Sequence, residues 1–361
     1  MRTSRSTVVC RVVMALVPCL GGGALLAGPT AQAAITDASG RVEASVRQTN
    51  ATTGQIIDEA FEETPGTTNI LPAEADASLE VTTPSSPEQG RLSSVAAVNV
   101  PGENAAADTN DFALEAAGLV LPAGRGFASD ARATQTRQIT LSRSELNINS
   151  GRRVRVRSTF VISSGVFLVT LPGSTGDVAG RIRFSVRQQD DEGSREVLAG
   201  GLDVSFDEGT LRTVPTGALA GAKIVPVDLS TESTQVEQAQ LVLLPFLSIP
   251  YEYEAVVGWP FSLVAEVTAS TGSDDGAQGG SAFVGRLPNS FTAALDEFLG
   301  TSYGEDVDTL AESFEQEPAG LPGGTTVEPI MDNVLGACGE FGMESLLAAM
   351  TLSMVFARRS L

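Results

Sequence analysis

Histidine is absent from all 361 residues. Its absence removes the usual general base of serine and cysteine hydrolases and the usual ligand of zinc sites. Cysteine occurs three times, at Cys10, Cys19 and Cys338. The first two lie in an N-terminal stretch with the features of a cleaved leader, so the mature chain keeps one thiol and no pair to oxidise. The single lysine, Lys223 in GAKIVPV, sits where a turn ends and has no sign of an activated amine. Among the common hydrolytic arrangements, a carboxylate pair is the chemistry still open. Aromatics are scarce as well, with one tryptophan and three tyrosines.

Basic residues are outnumbered, 23 against 44 acids, for a net charge of −21. A chain so acidic is a poor partner for nucleic acid, whose binding depends on basic groups displacing counterions from phosphate. The imbalance is uneven. Residues 34–124 hold 3 bases and 14 acids, residues 125–212 hold 13 and 10, and residues 213–337 hold 2 and 18. Only the middle segment is suited to an anionic partner.

At the N-terminus, Arg2, Arg5 and Arg11 precede or enter the apolar run VVMALVPCLGGGALLAG, which gives way to AQA. Basic, apolar and small-residue regions in that order read as a secretory signal peptide over 1–33, cut between Ala33 and Ala34. Gly21, Gly22 and Gly23 interrupt the apolar run and argue against a permanent anchor. A lipoprotein site at Cys19 fits less well, because Pro18 precedes it and it lies inside the apolar run.

The body, 34–302, reads as strands. In GRRVRVRSTFVI, Val154, Val156, Phe160 and Ile162 alternate with Arg153, Arg155, Arg157 and Thr159, the period of a half-buried strand. RIRFSVRQ repeats the pattern, with Ile182, Phe184 and Val186 against Arg181, Arg183 and Arg187. Pro172, Gly173, Ser174 and Gly176 between them predict a hairpin that sets Val166 and Leu168 beside Ile182 and Phe184. EVLAGGLDVSF, AKIVPVDL, QLVLLPFLSI, YEYEAVV, FSLVAEVTAS and GSAFVGRL continue the series. Before them come GRVEASVRQT, ASLEVTT, LSSVAAVNV, DFALEAAGLVL and RQITLSRSELNI, poorer in large apolar side chains. Many short strands without alternating helices predict an all-β fold, an antiparallel β-sandwich of jelly-roll type, with 34–110 its least distinct part. FTAALDEFL has helical spacing but is short enough to be an edge strand.

Three groups in the body are candidate sites. Arg153, Arg155, Arg157, Arg181, Arg183 and Arg187, on adjacent strands of one face, form either a guanidinium ladder for an acidic polysaccharide or a solvated face balanced by acids, with stems over Phe167 and Val169. Tyr251, Tyr253 and Trp259 offer either a stacking platform for sugar or ordinary core aromatics. Glu252 and Glu254 share a strand face about 6–7 Å apart, a spacing compatible with glycoside hydrolysis but equally with solvent-facing charge. The loops QQDDEGS (188–194) and GSDDGAQGG (272–280) are oxygen-rich, yet neither has a calcium loop's spacing, so both read as polar turns. No metal and no cofactor is expected.

Residues 303–337 are acidic, lack any base and carry Pro318, Pro322, Gly323, Gly324 and Pro329, the composition of an extended spacer. The tail, 338–361, has an apolar run from Phe341 to Ala357, short for a bilayer span, closed by Arg358 and Arg359, which place its end in the cytoplasm. Spacer, short motif, apolar helix and basic end together resemble the C-terminal sorting tails of the PEP-CTERM and MYXO-CTERM surface proteins. Cys338-Gly339 is similar to the cysteine-containing kind, and TVEPI at 326–330 echoes a Val-Pro-Glu-Pro motif without its first proline. The resemblance implies the export machinery and a sorting protease as partners, transient inner-membrane anchoring through the terminal segments, and delivery to the cell surface or outside. It implies no substrate. The function expected is that of a non-catalytic structural or adhesive surface protein, with a polysaccharide-binding module as the alternative and a carboxylate glycosidase third. Protein isolated from its native host is expected to begin near Ala34 and to lack most of Met343–Leu361. Intact-mass measurement checks this, and a retained tail on surface-located protein rejects the sorting route.

Overall fold

The computed structural model describes residues 34–49, 53, 55–64, 73–82, 89–99, 112–121, 126–173, 177–207, 209–229, 236–273, 278–285, 287–299 and 326–329. The expected leader with Ala33, and the expected sorting tail with Cys338 and Gly339, lie outside the described residues. Ala34 opens the first strand.

The strands are β1 (Ala34–Thr49), β2 (Ile56–Thr64), β3 (Ala73–Thr82), β4 (Gln89–Asn99), β5 (Ala113–Val120), β6 (Phe127–Thr140) and β7 (Arg153–Thr170). They continue as β8 (Val178–Asp190), β9 (Gly193–Asp207), β10 (Thr210–Gly217), β11 (Val225–Asp228), β12 (Gln238–Val256), β13 (Pro260–Ser273), β14 (Gln278–Val284) and β15 (Thr326–Pro329). One sheet runs β10-β9-β8-β13-β6-β1-β2 and the other β11-β12-β7-β14-β5-β4-β3, with β15 added on β7. Every pairing is antiparallel, and the two sheets pack as a sandwich. The segment 34–110, poor in large side chains, supplies strands to both sheets: Val42, Ala44, Val46, Leu92, Ala96 and Val98 join the core as small inward residues.

The expected β7–β8 hairpin is not formed. β7 pairs with β12 and β14, whereas β8 pairs with β9 and β13, so the link between them crosses from one sheet to the other. Val166 does meet β8, but across the core, and Leu168 is buried in the same core. A Cβ placed on Gly180 would fall 2.4 Å from Val166 Cγ1, and the rings of Phe160 and Phe184 stack at 5.3 Å between the sheets. Period two records which face is buried and is identical for a neighbour in the same sheet and a partner in the facing one.

Two predicted strands, QLVLLPFLSI and YEYEAVV, are one. β12 runs through both with a bulge between Leu244 and Leu247, where Pro245, which has no N–H to donate, interrupts the ladder at little cost. IIDEAFEET and TLRTVPTG, passed over in sequence, form the edge strands β2 and β10. The ambiguous FTAALDEFL is helical, α2 (Asn289–Leu299), after a single helical turn α1 (Arg143–Leu146). Phe291, Ala294 and Leu295 of α2 cover Phe167 and Val169 together with Leu241, Leu243 and Leu119, forming a second apolar layer outside the β7 sheet. The arginine stems expected over Phe167 and Val169 are therefore replaced by a helix.

Among the described residues one charged side chain, Arg137, is buried. Gln135 and Arg137 point inward from β6, and the Arg137 guanidinium sits 4.3 Å over the Phe112 ring and donates to Gln135 Oε1 at 3.3 Å. Phe160 is fully buried at the junction of Phe112 and Phe184. Phe160→Ala is expected to lower stability by about 3–5 kcal/mol, while Phe61→Ala, on exposed β2, should change it by under about 0.5 kcal/mol. Urea unfolding of the two variants checks the contrast.

Candidate functional site

The two arginine rows do not form one ladder. Because β7 and β8 belong to different sheets, Arg153, Arg155 and Arg157 project from one outer face of the sandwich and Arg181, Arg183 and Arg187 from the opposite one. On the β8 side the row is matched by acids. Asp203 accepts from Arg181 at 2.8 Å and from Arg183 at 2.7 Å, and Glu266 lies 3.3 Å from Arg187 and 2.5 Å from Arg132. Glu43 reaches Arg132 at 3.9 Å and Arg41 at 2.8 Å, and Arg41 ends on Glu63 at 2.9 Å. From Glu63 on β2 to Arg187 on β8 the pairs make a continuous chain across five strands. Exposed pairs of this kind contribute roughly 0–1 kcal/mol each. On the β7 side Glu252 takes Arg157 at 2.6 Å and Arg155 at 3.8 Å, and Glu192 takes Arg153 at 3.2 Å.

The aromatic group divides too. Tyr251 and Tyr253 are buried, with ring centroids 6.1 Å apart and Tyr253 against Phe261 at 5.5 Å. Burial pushes both phenols above their ordinary range, and neither can serve as a surface platform. Trp259, in contrast, is 56% exposed. It stands on the β12–β13 turn, where Gly258 adopts φ +84 and a Cβ would come within 2.5 Å of Ser150 Oγ. That turn is pinned by Gly258 N–H to Leu141 O at 2.9 Å, Val257 N–H to Arg152 O at 3.0 Å and Gly151 N–H to Val257 O at 2.9 Å.

Beside Trp259 opens a cleft of about 260 Å³ at one end of the sandwich. The start of β7 supplies Arg153, the β8–β9 hairpin Asp190, Glu192 and Arg195, and the end of β12 Glu254. Gln188 organises it. Buried at 2% exposure, its Nε2 donates to Glu254 O at 2.6 Å and to Asp190 Oδ2 at 3.3 Å, while its Oε1 accepts from Arg195 Nη2 at 2.8 Å. One amide thus ties the ends of the two sheets together and fixes a guanidinium. Arg195 forms no ion pair among the described residues. Asp190 Oδ1 also accepts the Glu192 N–H at 2.9 Å, and Arg153 Nη2 bridges to Glu192 from the facing sheet.

Glu254 lines this cleft and Glu252 does not; Glu252 is held by arginines on the sheet face, so the two glutamates do not flank a common cavity. QQDDEGS forms the hairpin that builds the cleft. Among the described residues no three acidic or thiol side chains converge as metal ligands. The connection within GSDDGAQGG falls at residues 274–277, outside the described residues. Gln188 and Arg195 were not singled out in sequence. Their one signal is a glutamine at an inward position of an alternating strand, which demands partners in the fold.

No protein-family model matches this chain, and no curated protein sequence does. Among solved structures, one titled "Structure of infectious bursal disease virus Gx strain" aligns at 10% identity over 79% of this chain and 80% of that one, with a TM-score of 0.08. Similarity at that level carries no argument.

Asp203 supplies a pH test. Partial burial raises its carboxyl, but hydrogen bonds from Arg183 and then Arg181 outweigh this and leave it below the ordinary 3.8. A depressed folded value stabilises the protein above 3.8 and loses that contribution as pH falls through the folded value. Asp203→Asn is expected to cost less than about 1 kcal/mol at neutral pH, because the pair is exposed. The difference from the parent should vanish below the folded carboxyl's titration in urea melts run across the acid range.

Proposed function

We propose that this protein is an exported, non-catalytic adhesive component of the cell surface or extracellular matrix, with a jelly-roll-like body that holds polysaccharide at the Trp259 cleft. The observation that carries the reading is the exposed indole standing over a preorganised rim of hydrogen-bonding groups. An indole face stacks on the C–H face of a sugar ring, while carboxylates and a fixed guanidinium accept from and donate to its hydroxyls. With Asp190, Asp191, Glu192 and Glu254 against Arg153 and Arg195, the rim is net acidic. Its chemistry suits a neutral, hydroxyl-rich polymer better than the acidic one that a continuous arginine ladder would have favoured. The signal peptide and the sorting tail support delivery to the surface by an export system and a sorting protease, with membrane contact confined to the terminal segments. Cleavage of sugar bonds has no support in the placement of Glu252 and Glu254.

Because Trp259 is the sole tryptophan, its fluorescence reports on the cleft directly. Titration with a soluble neutral glucan is expected to shift the emission, with little dependence on salt, and polygalacturonate to do so weakly. Trp259→Ala should weaken glucan binding, followed by affinity electrophoresis, by about tenfold or more. The glucan should be recovered with its chain length unchanged. Binding untouched by Trp259→Ala rejects the site, and hydrolysis abolished by Glu254→Gln restores the glycosidase reading.

A further inference from the structure

The outer face of the sheet that holds β8 carries a second recess, away from Trp259. Its volume is about 530 Å³, and its charged lining is Arg47, Arg181 and Arg212 with Asp130 and Asp203. The strand registers explain its shape. Arg47 stands opposite Ala128, Ala128 opposite Gly272, Gly272 opposite Ala179, Ala179 opposite Ser205, and Ser205 opposite Arg212. One row across six neighbouring strands therefore sets four small residues between two arginines, a trough about 24 Å long at about 4.8 Å per strand. The next row, Asp130, Ser270, Arg181 and Asp203, forms its wall. Arg181 is held by Asp203 and Arg47 by Asp130 at 3.4 Å, whereas Arg212 has no ion pair among the described residues. Three arginines against two aspartates make the trough basic on a chain of net charge −21. It is also sheltered from water: burial raises the Asp130 carboxyl in spite of Arg47 and Arg181.

A ridge of opposite character lies at the edge of the same sheet. β2 carries Asp58, Glu59, Glu62 and Glu63 and no base, and all of its residues but Ala60 and Thr64 are exposed. An edge strand of a sandwich ordinarily buries one face. β2 leaves both faces in solvent and packs on the core through Ala60. Ile56, Ile57 and Phe61 are three of the four exposed large apolar side chains among the described residues, the fourth being Trp259. Acids on an edge strand discourage non-specific pairing, but large apolar side chains gathered among them mark a contact surface.

We propose that the acidic, apolar ridge of β2 docks in the arginine-rimmed trough of a second copy of this chain. Nine residues of strand span about 30 Å, enough to run the length of the trough. Phe61 and Ile57 lie on the floor of small residues, and the flanking carboxylates meet the arginines at its ends. A second copy is the occupant because ridge and trough are opposite in charge and similar in length, whereas β2 against β2 would set carboxylate on carboxylate. The contact joins two different patches, so a docked pair still offers one ridge and one trough, and assembly continues as an open chain or closes as a ring. Neither patch includes a residue of the Trp259 cleft, so the assembly does not rest on the sugar reading.

The test is sedimentation velocity of the full chain in a mild non-ionic detergent over a range of concentrations. The parent is expected to form a series of oligomers that grows with concentration and retreats in 0.5 M salt. Ala179→Tyr, which fills the trough, and Phe61→Ser, which strips the ridge, should each weaken association about tenfold or more. Both positions are exposed, so urea melts of the two variants should match the parent. Mixed together, the variants are expected to form pairs and nothing larger, because one supplies an intact ridge and the other an intact trough. A parent that stays monomeric throughout, or variants that assemble as the parent does, overturns the proposal. So does a mixture in which the two variants fail to pair. Polygalacturonate retained by a monomeric parent and lost in Ala179→Tyr assigns the trough to a foreign anionic polymer and rejects docking between copies.

Discussion

The fold depends on two apolar faces filling each other across the sandwich, because among the described residues nothing covalent holds them. Among the described residues there is no cysteine to bridge the sheets, and the ion pairs that knit the β8 face are exposed and individually weak. The burden falls on contacts such as Phe160 on Phe184 and Val166 on Gly180. These contacts tolerate no side chain at Gly180 and leave little room elsewhere in the layer. Small residues on β1 and β4 serve the same end, letting the sheets approach where the large residues of β7 and β8 do not reach.

The cleft follows from this arrangement. When two sheets meet face to face, their ends bring together turns remote in sequence, here the ends of β7 and β12 and the β8–β9 hairpin. Polar groups caught at such a seam must satisfy each other. Gln188 does so with three partners, and in doing so holds Arg195 in place and leaves Trp259 standing at the rim. The indole is exposed because it sits on a turn fixed by Gly258, whereas Tyr251 and Tyr253, on the strand before it, fall on the inward face. β15 adds a short strand to β7 near this end.

Much of the fold was legible as alternation. β7, β8, β12 and β13 carry large inward residues and charged outward ones, and each is a strand where the pattern says so. β2 and β10 were not legible, since edge strands with both faces wet need no alternation. α2 was ambiguous because Phe291, Leu295 and Leu299 suit either a helix or a short strand until a surface to cover is known. Arg137 reads as any outward arginine of the strand and turns inward only because the neighbouring residues fix the phase of β6.

By itself the sequence determined the composition of the chemistry and the facing of the strands. It excluded imidazole, confined cysteine to three positions outside the strands, marked the terminal segments by their apolar runs and basic ends, and sorted inward from outward residues. These are local properties, set by side-chain type and the period of the backbone. Only the tertiary structure decided which strands are neighbours, because a hairpin and an inter-sheet crossing bury the same residues. That choice set the arginines of β7 and β8 on opposite faces, sent Glu252 and Glu254 to different surroundings, and gathered Gln188, Arg195 and Trp259 at one end.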